Sequence, residues 1–186
     1  MKTEVLLVIL LVSGAVSCNS GQEGAGRLSG PGKKEMADLN KYMVQKDRER
    51  IQNYNERKGL EMKESPAGLW YLIKSEGNGN FLTDNDRVVM EYECSLLDGT
   101  NCYSSRESGP KEIILGRSEM TAGLNQGLRM LKPGGEAVFI MPPFLAYGLT
   151  GDGKKIPPRA IVIFNVSILT AQLTHGTIFD VNAINY

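Results

Sequence analysis

The 186-residue sequence is short of the residues on which most catalytic chemistry depends. A single histidine, His175, lies near the C-terminal end, so no serine–histidine–acid relay is expected in the body of the chain. Three cysteines, Cys18, Cys94 and Cys102, have neither CxxC spacing nor histidine partners, which argues against a zinc centre or any other metal site. Net charge is zero and aromatic content is 7%, leaving neither a basic footprint nor a stacking platform; nucleic acid is not an expected partner. The stretch "GDGKK" precedes a predicted strand and not a helix, so no phosphate-cradling loop is present. The apolar run from Val5 to Ser17 is too short to span a bilayer comfortably. No cofactor is implied, and whatever the chain does it is expected to do by shape.

What is there begins with an address. Lys2 precedes the Val5–Ser17 run in the layout of a secretory signal. The run closes in Ala15-Val16-Ser17-Cys18, and small residues before a cysteine resemble the bacterial lipobox. On that reading residues 1–17 are a lipoprotein signal peptide, Cys18 carries the lipid that holds the protein to a membrane, and residues 18–32, rich in glycine, form a flexible tether. A plain secretory signal with an incidental Cys18 is the alternative. Asn165-Val166-Ser167 fits a glycosylation sequon but sits in a predicted strand and carries no weight.

From Lys33 the composition turns charged and helix-forming. Met36, Leu39, Met43, Ile51 and Tyr54 recur mostly at helical spacing, with a polar gap at Asp47, and Gly59 ends the run. So narrow a stripe is marginal alone in water and needs a partner surface. Either the following domain supplies it, or a second copy of the helix does so in a homodimer. Residues 33–65 therefore read as a helical segment, and Ser65-Pro66 marks its boundary.

After Pro66 the pattern changes to short strands: "GLWYLIKSEG", "RVVMEYECSLLDGT", "EAVFIMPP" and "RAIVIFNVSIL", with a hairpin signal at Asp98-Gly99. Between them one short amphipathic helix is predicted, with Leu124, Leu128 and Leu131 on a shared face and Pro133-Gly134-Gly135 beyond it. The expected class is α+β, an antiparallel sheet wrapped on one helix, over residues 66–171. The tail, residues 172–186, alternates enough to pair with a sheet edge; a free end is the alternative.

Four stretches carry a resemblance: "YECSLLDGTNCYSS" from Tyr92, "LGRSEMTAGLNQGL" from Leu115, "PPFLAYG" from Pro142 and "KKIPPRAIVIFNVSIL" from Lys154. Together, over Gly68 to Ala171, they resemble the successive motifs of the FKBP family of peptidyl-prolyl cis/trans isomerases. The whole layout is similar to that of bacterial envelope FKBP lipoproteins, some of them associated with gliding motility.

That resemblance implies an apolar pocket stiffened by Ile156-Pro157-Pro158 and lined by Tyr92, Met120, Thr121, Leu124, Tyr147, Ile156 and Phe164. It further implies the Ile156 N–H and the Tyr147 hydroxyl as donors to substrate, proline-containing polypeptides as clients, and a periplasm-facing lipid-anchored location. Two positions depart from the family pattern. Cys102-Tyr103 stands where Phe-Asp is usual, so at these two substrate-binding positions an aromatic pocket wall becomes a small thiol and the acid a phenol, and the following loop lacks the arginine expected to pair with that acid. Tyr103 either leans over the pocket or packs on its rim. Cys94 and Cys102 flank the Asp98-Gly99 turn and are either bridged or free. The function implied is isomerisation of X-Pro bonds during folding of envelope proteins; the competing reading is a catalytically weak binding or chaperone module in a membrane-attached assembly.

Overall fold

The computed structural model describes residues 32–174 and 178–180. The signal peptide, Cys18, the tether up to residue 31 and His175 lie outside the described residues. In chain order the elements are α1 (Lys33–Lys58), β1 (Lys63–Glu64), β2 (Trp70–Ser75), β3 (Arg87–Leu96), β4 (Asn101–Ser104), α2 (Ser105–Ser108), β5 (Lys111–Ile114), α3 (Ala122–Leu128), β6 (Glu136–Met141), a 3-10 turn (Pro143–Leu145), β7 (Val162–Gln172) and β8 (Ile178–Asp180).

Every strand pairing is antiparallel, in the order β1-β2-β6-β7-β3-β4. β5 shares the outer edge of β3 with β4, and β8 pairs with the end of β7 beyond the reach of β6. The tail thus supplies an edge strand. The expected hairpin is present: Gly99 turns at φ 92° and the Leu96 N–H donates to the Thr100 carbonyl at 2.9 Å.

Strand alternation sorts the apolar residues onto two faces. Ala137, Phe139 and Met141 of β6 join Val162, Phe164, Val166 and Ile168 of β7 on the inner face, where Leu124 and Leu128 of α3 cover them. Trp70, Val138, Ile140, Ile161 and Ile163 point the other way and bury Ile51 of α1. One sheet therefore carries two cores, and the site forms on the α3 side.

α1 starts with the Gly32 N–H donating to the Glu35 carboxylate at 2.8 Å and stops at Gly59, whose φ of 62° favours glycine. The domain is the partner of its C-terminal half, where Asp47, Ile51 and Asn55 are buried. Met36, Leu39, Tyr42 and Val44 of its first half remain exposed. The polar gap at Asp47 is a buried ion pair: the carboxylate lies 3.1 Å from Arg159 and 3.6 Å from Arg50.

Candidate functional site

Strands β3 and β7, helix α3 and the segment after the 3-10 turn enclose most of a cavity of about 610 Å³ on the inner face, with single residues of β4 and β5 at its edge. β3 and β7 send Met90, Tyr92 and Phe164 into it because these positions share the inward side of the pleat, and the Tyr92 and Phe164 rings stack with centroids 6.2 Å apart. α3 supplies Leu124, and its leading residues Met120 and Thr121 form the adjoining wall. Thr121 caps the helix, its hydroxyl accepting the Leu124 N–H at 3.4 Å. Among the described residues the Thr121 N–H itself has no hydrogen-bond partner.

The remaining wall is the segment after the 3-10 turn, contributing Ala146, Tyr147, Asp152 and Lys154. Tyr147 is half-buried, and burial pushes its phenol up to about 12, with the Cys94, Asp152, Tyr103 and Tyr92 groups adding to the shift. Its hydroxyl stays protonated through the physiological range, and no protein acceptor takes that proton among the described residues.

Seven of the residues expected at the pocket do line this cavity: Tyr92, Tyr103, Met120, Thr121, Leu124, Tyr147 and Phe164. Two do not. Ile156 is buried in the core, and its N–H, expected to receive a substrate carbonyl, donates instead to Asp152 Oδ1 at 2.8 Å. Cys102 sits behind the wall, fully buried, with its thiol directed at the Lys155 carbonyl 3.7 Å away. The cause is a β-bulge: Cys94 pairs with Tyr103 and Ser95 with Asn101, leaving Cys102 as the extra residue with no cross-strand partner. Both cysteines are free, so the bridge is not formed.

Tyr103 stands on the rim, where its hydroxyl donates to Asp152 Oδ2 and Lys155 Nζ lies 5.4 Å from its ring centre. Asp152 also accepts the Lys154 N–H at 2.9 Å. Burial alone would raise its carboxyl, but the hydrogen bonds from Tyr103, Lys154 and Ile156 outweigh that and hold it below its ordinary value. Where the family's acid and arginine would pair, this chain pairs a phenol with an acid from the opposite wall. Asp152, Met90, Lys111, Glu119, Ala146 and Lys154 are wall residues that sequence reasoning did not find. For Asp152 a signal existed, since an Asp-Gly four residues before Ile156 is a turn former that would cap the N–H groups following it.

Residues 79–169 match the model of FKBP-type peptidyl-prolyl cis-trans isomerase. The probable FKBP-type peptidyl-prolyl cis-trans isomerase FkpA of Neisseria meningitidis is 39% identical over 108 residues, covering 58% of this chain and 39% of that protein. FkpA of Escherichia coli K12 is 32% identical over 127 residues, covering 68% of this chain and 46% of that protein. The chain thus spans less than half the length of these curated relatives. The crystal structure of FkpA from Escherichia coli aligns with a TM-score of 0.60 at 26% identity, covering 78% of this chain and 75% of that one. Motifs and family match agree over one stretch of sequence: within the α+β domain, residues 79–169 match the FKBP-type peptidyl-prolyl cis-trans isomerase family.

Proposed function

We propose that this chain is a peptidyl-prolyl cis/trans isomerase acting on X-Pro bonds in extended segments of cell-envelope proteins. The observation that carries the reading is the Tyr147 phenol, protonated and without a protein acceptor among the described residues, at the wall of a cavity that also presents the apolar surface of Tyr92, Leu124 and Phe164. Rotation about a peptide bond faces a barrier of roughly 18–20 kcal/mol because resonance is lost in the twisted form, and unaided X-Pro bonds take about tens to hundreds of seconds. The planar amide carries more charge separation than the twisted one, so an environment poor in water raises the first relative to the second. Tyr92, Leu124 and Phe164 offer the prolyl ring an apolar seat. The Tyr147 O–H and the Thr121 N–H supply donors for substrate carbonyls, and no nucleophile, proton transfer or cofactor is needed.

The anchor belongs to the same proposal. Lipidation of Cys18 would tether the domain to an envelope membrane, on its periplasmic face, in the manner of lipoproteins of the gliding-motility kind; the lipobox-like Ala15-Val16-Ser17-Cys18 supports it, and mass spectrometry of the mature N-terminus tests it. The exposed Met36, Leu39, Tyr42 and Val44 of α1 support self-association through that helix, which sedimentation velocity tests.

The activity test is acceleration of cis-to-trans relaxation in a panel of short X-Pro peptides by the chain lacking its leader. Activity that Tyr147→Phe and Phe164→Leu both diminish, in folded protein, supports the enzyme. The second reading, a binding module with weak catalysis, is favoured by the Tyr103–Asp152 bridge, which occupies two polar groups at the rim. It prevails if the parent is inactive on every peptide while Cys102→Phe with Tyr103→Asp gains activity.

A further inference from the structure

The loop from Gly148 to Arg159 has two sides. Its inner side, with Asp152 and Lys154, walls the cavity, and Tyr147 directly precedes it. Its outer side, at Pro157, Pro158 and Arg159, faces Met43, Asp47 and Arg50 of α1 across a groove. Pro157 and Pro158 have no N–H to donate, so after Ile156 the first backbone donor that can close the loop is Arg159. It does so, its N–H reaching the Gly148 carbonyl at 3.1 Å, one residue from Tyr147.

Arg159 makes that bond at a φ of 57°, a left-handed conformation that a residue with a side chain avoids unless its surroundings impose it. The turn closed by the Ala160 N–H on the Pro157 carbonyl at 3.3 Å places Arg159 in that position, and the helix holds its side chain. The Arg159 guanidinium lies 3.1 Å from the Asp47 carboxylate, whose side chain is 7% exposed. A charge so far from water is retained only where a partner and hydrogen bonds compensate it. Asp47 breaks the apolar stripe of α1 at the point where the helix crosses the loop.

We infer that Asp47 is a positioning residue for the isomerase cavity: by holding Arg159 it closes the Gly148–Arg159 loop and fixes the wall that begins at Tyr147. The route runs from the Asp47 carboxylate to the Arg159 side chain, along the Arg159 backbone to the Gly148 carbonyl, and so to the neighbouring phenol. α1 thereby takes part in substrate binding without touching substrate. The inference rests on the isomerase reading for its kinetic consequence but not for its structural one.

The experiment compares the full chain with Asp47→Asn, Arg159→Gln and, as a control at an exposed position of the same helix, Asn53→Ala. Two quantities are read: hydrogen exchange of the Arg159 amide, resolved by NMR, and kcat and KM on an X-Pro peptide. Asp47→Asn and Arg159→Gln are each expected to speed exchange of that amide about tenfold relative to the parent and to Asn53→Ala. KM is expected to rise about fivefold in the first two, with kcat changed less, because a looser wall weakens binding of the peptide before rotation begins. If Asp47→Asn does not fold, Arg159→Gln carries the test, since that side chain is partly exposed. Amide exchange within twofold of the parent in the folded variants overturns the inference, whatever the kinetics. A parent with no activity, but with the expected change in exchange, leaves the loop clamp standing and removes the isomerase reading.

Discussion

Tyr103 and Asp152 join the two walls of the cavity, the phenol of β4 donating to a carboxylate of the loop before Ile156-Pro157-Pro158. The same carboxylate receives the Lys154 and Ile156 N–H groups, so one side chain organises its own loop and ties it to the sheet edge. Three donors on one carboxylate favour its charged form.

Tyr103→Phe is therefore expected to raise the Asp152 pKa, because removing a donor weakens the ionised state and leaves the neutral one unaffected. Carbon-detected NMR titration of the Asp152 carboxyl reads this directly: the parent lies below the ordinary value of 3.8, and the variant moves towards it. An unchanged midpoint would mean that the phenol contributes nothing to the charged form.

The second prediction concerns Tyr147. Replacing it with Phe keeps the apolar surface and removes one donor, so kcat/KM on an X-Pro peptide is expected to fall about twofold to tenfold, the equivalent of a single hydrogen bond of about 0.5–1.5 kcal/mol. Burial holds the phenol up at about 12, so activity limited by this donor should stay flat from neutral pH to mildly alkaline solution. Steady-state rates across that range check both statements, and a drop near the titration of an ordinary tyrosine would show that the hydroxyl is not so shielded.

The long elements and the apolar floor were legible in the sequence because their signals are periodic. Tyr92 and Phe164 fall on inward positions of alternating strands, and Leu124 and Leu128 recur at helical spacing. β4, α2 and β5, each four residues long, are too short to show a period, and α2 is set by a single cap in which Ser104 Oγ accepts the Arg106 N–H. Cys102 was misplaced because a one-residue bulge changes the register of every residue beyond it, and nothing in the local composition marks that bulge. The Ile156 N–H differs from its expected role for another reason: its acceptor is its own loop's Asp152, a local bond that a resemblance carried by the flanking motifs does not predict. Asp47 read as a flaw in a stripe because its partner lies 112 residues away.

Asp86 is expected to contribute to stability against acid. Its two oxygens accept the N–H and hydroxyl of Thr83 and of Thr174, fastening the end of β7 to the start of β3 in a fully buried position. Burial alone would raise this carboxyl, but the Thr174 and Thr83 bonds prevail and hold it low. A depressed pKa in the folded state means stability that is complete above the unfolded value of 3.8 and lost as pH falls through the folded one. Asp86→Asn, which turns two acceptor sites into donors, should cost about 1–3 kcal/mol at neutral pH. Urea unfolding at pH 7 and pH 3 should show that gap narrowing in acid; a gap of equal size at both would mean that the charge is not what holds the two threonines.

The final prediction concerns how closely α3 lies on the sheet, since that spacing sets the depth of the cavity floor. A Cβ at Gly127 would come within 2.7–2.9 Å of three atoms of the Phe139 ring, which is fully buried and faces Phe164 across the sheet register. The ring has no open space to turn into, so the helix must lift. Gly127→Ala gains about 1 kcal/mol of helix propensity and loses about 1–3 kcal/mol or more to overpacking, leaving the variant less stable. At Gly123 the nearest obstacles are the Met141 sulfur and Cγ, at 2.4 and 2.7 Å, with the Leu145 carbonyl at 3.1 Å behind them; Met141 is fully buried too, but its unbranched chain has torsions to adjust that a ring lacks. Gly123→Ala is accordingly expected to be the milder change. Urea midpoints of the two variants test the order, and peptide kinetics should follow it, because a helix lifted at Gly127 carries Leu124 away from the cavity; the reverse order would mean that Phe139 has more room than the packing of the inner face allows.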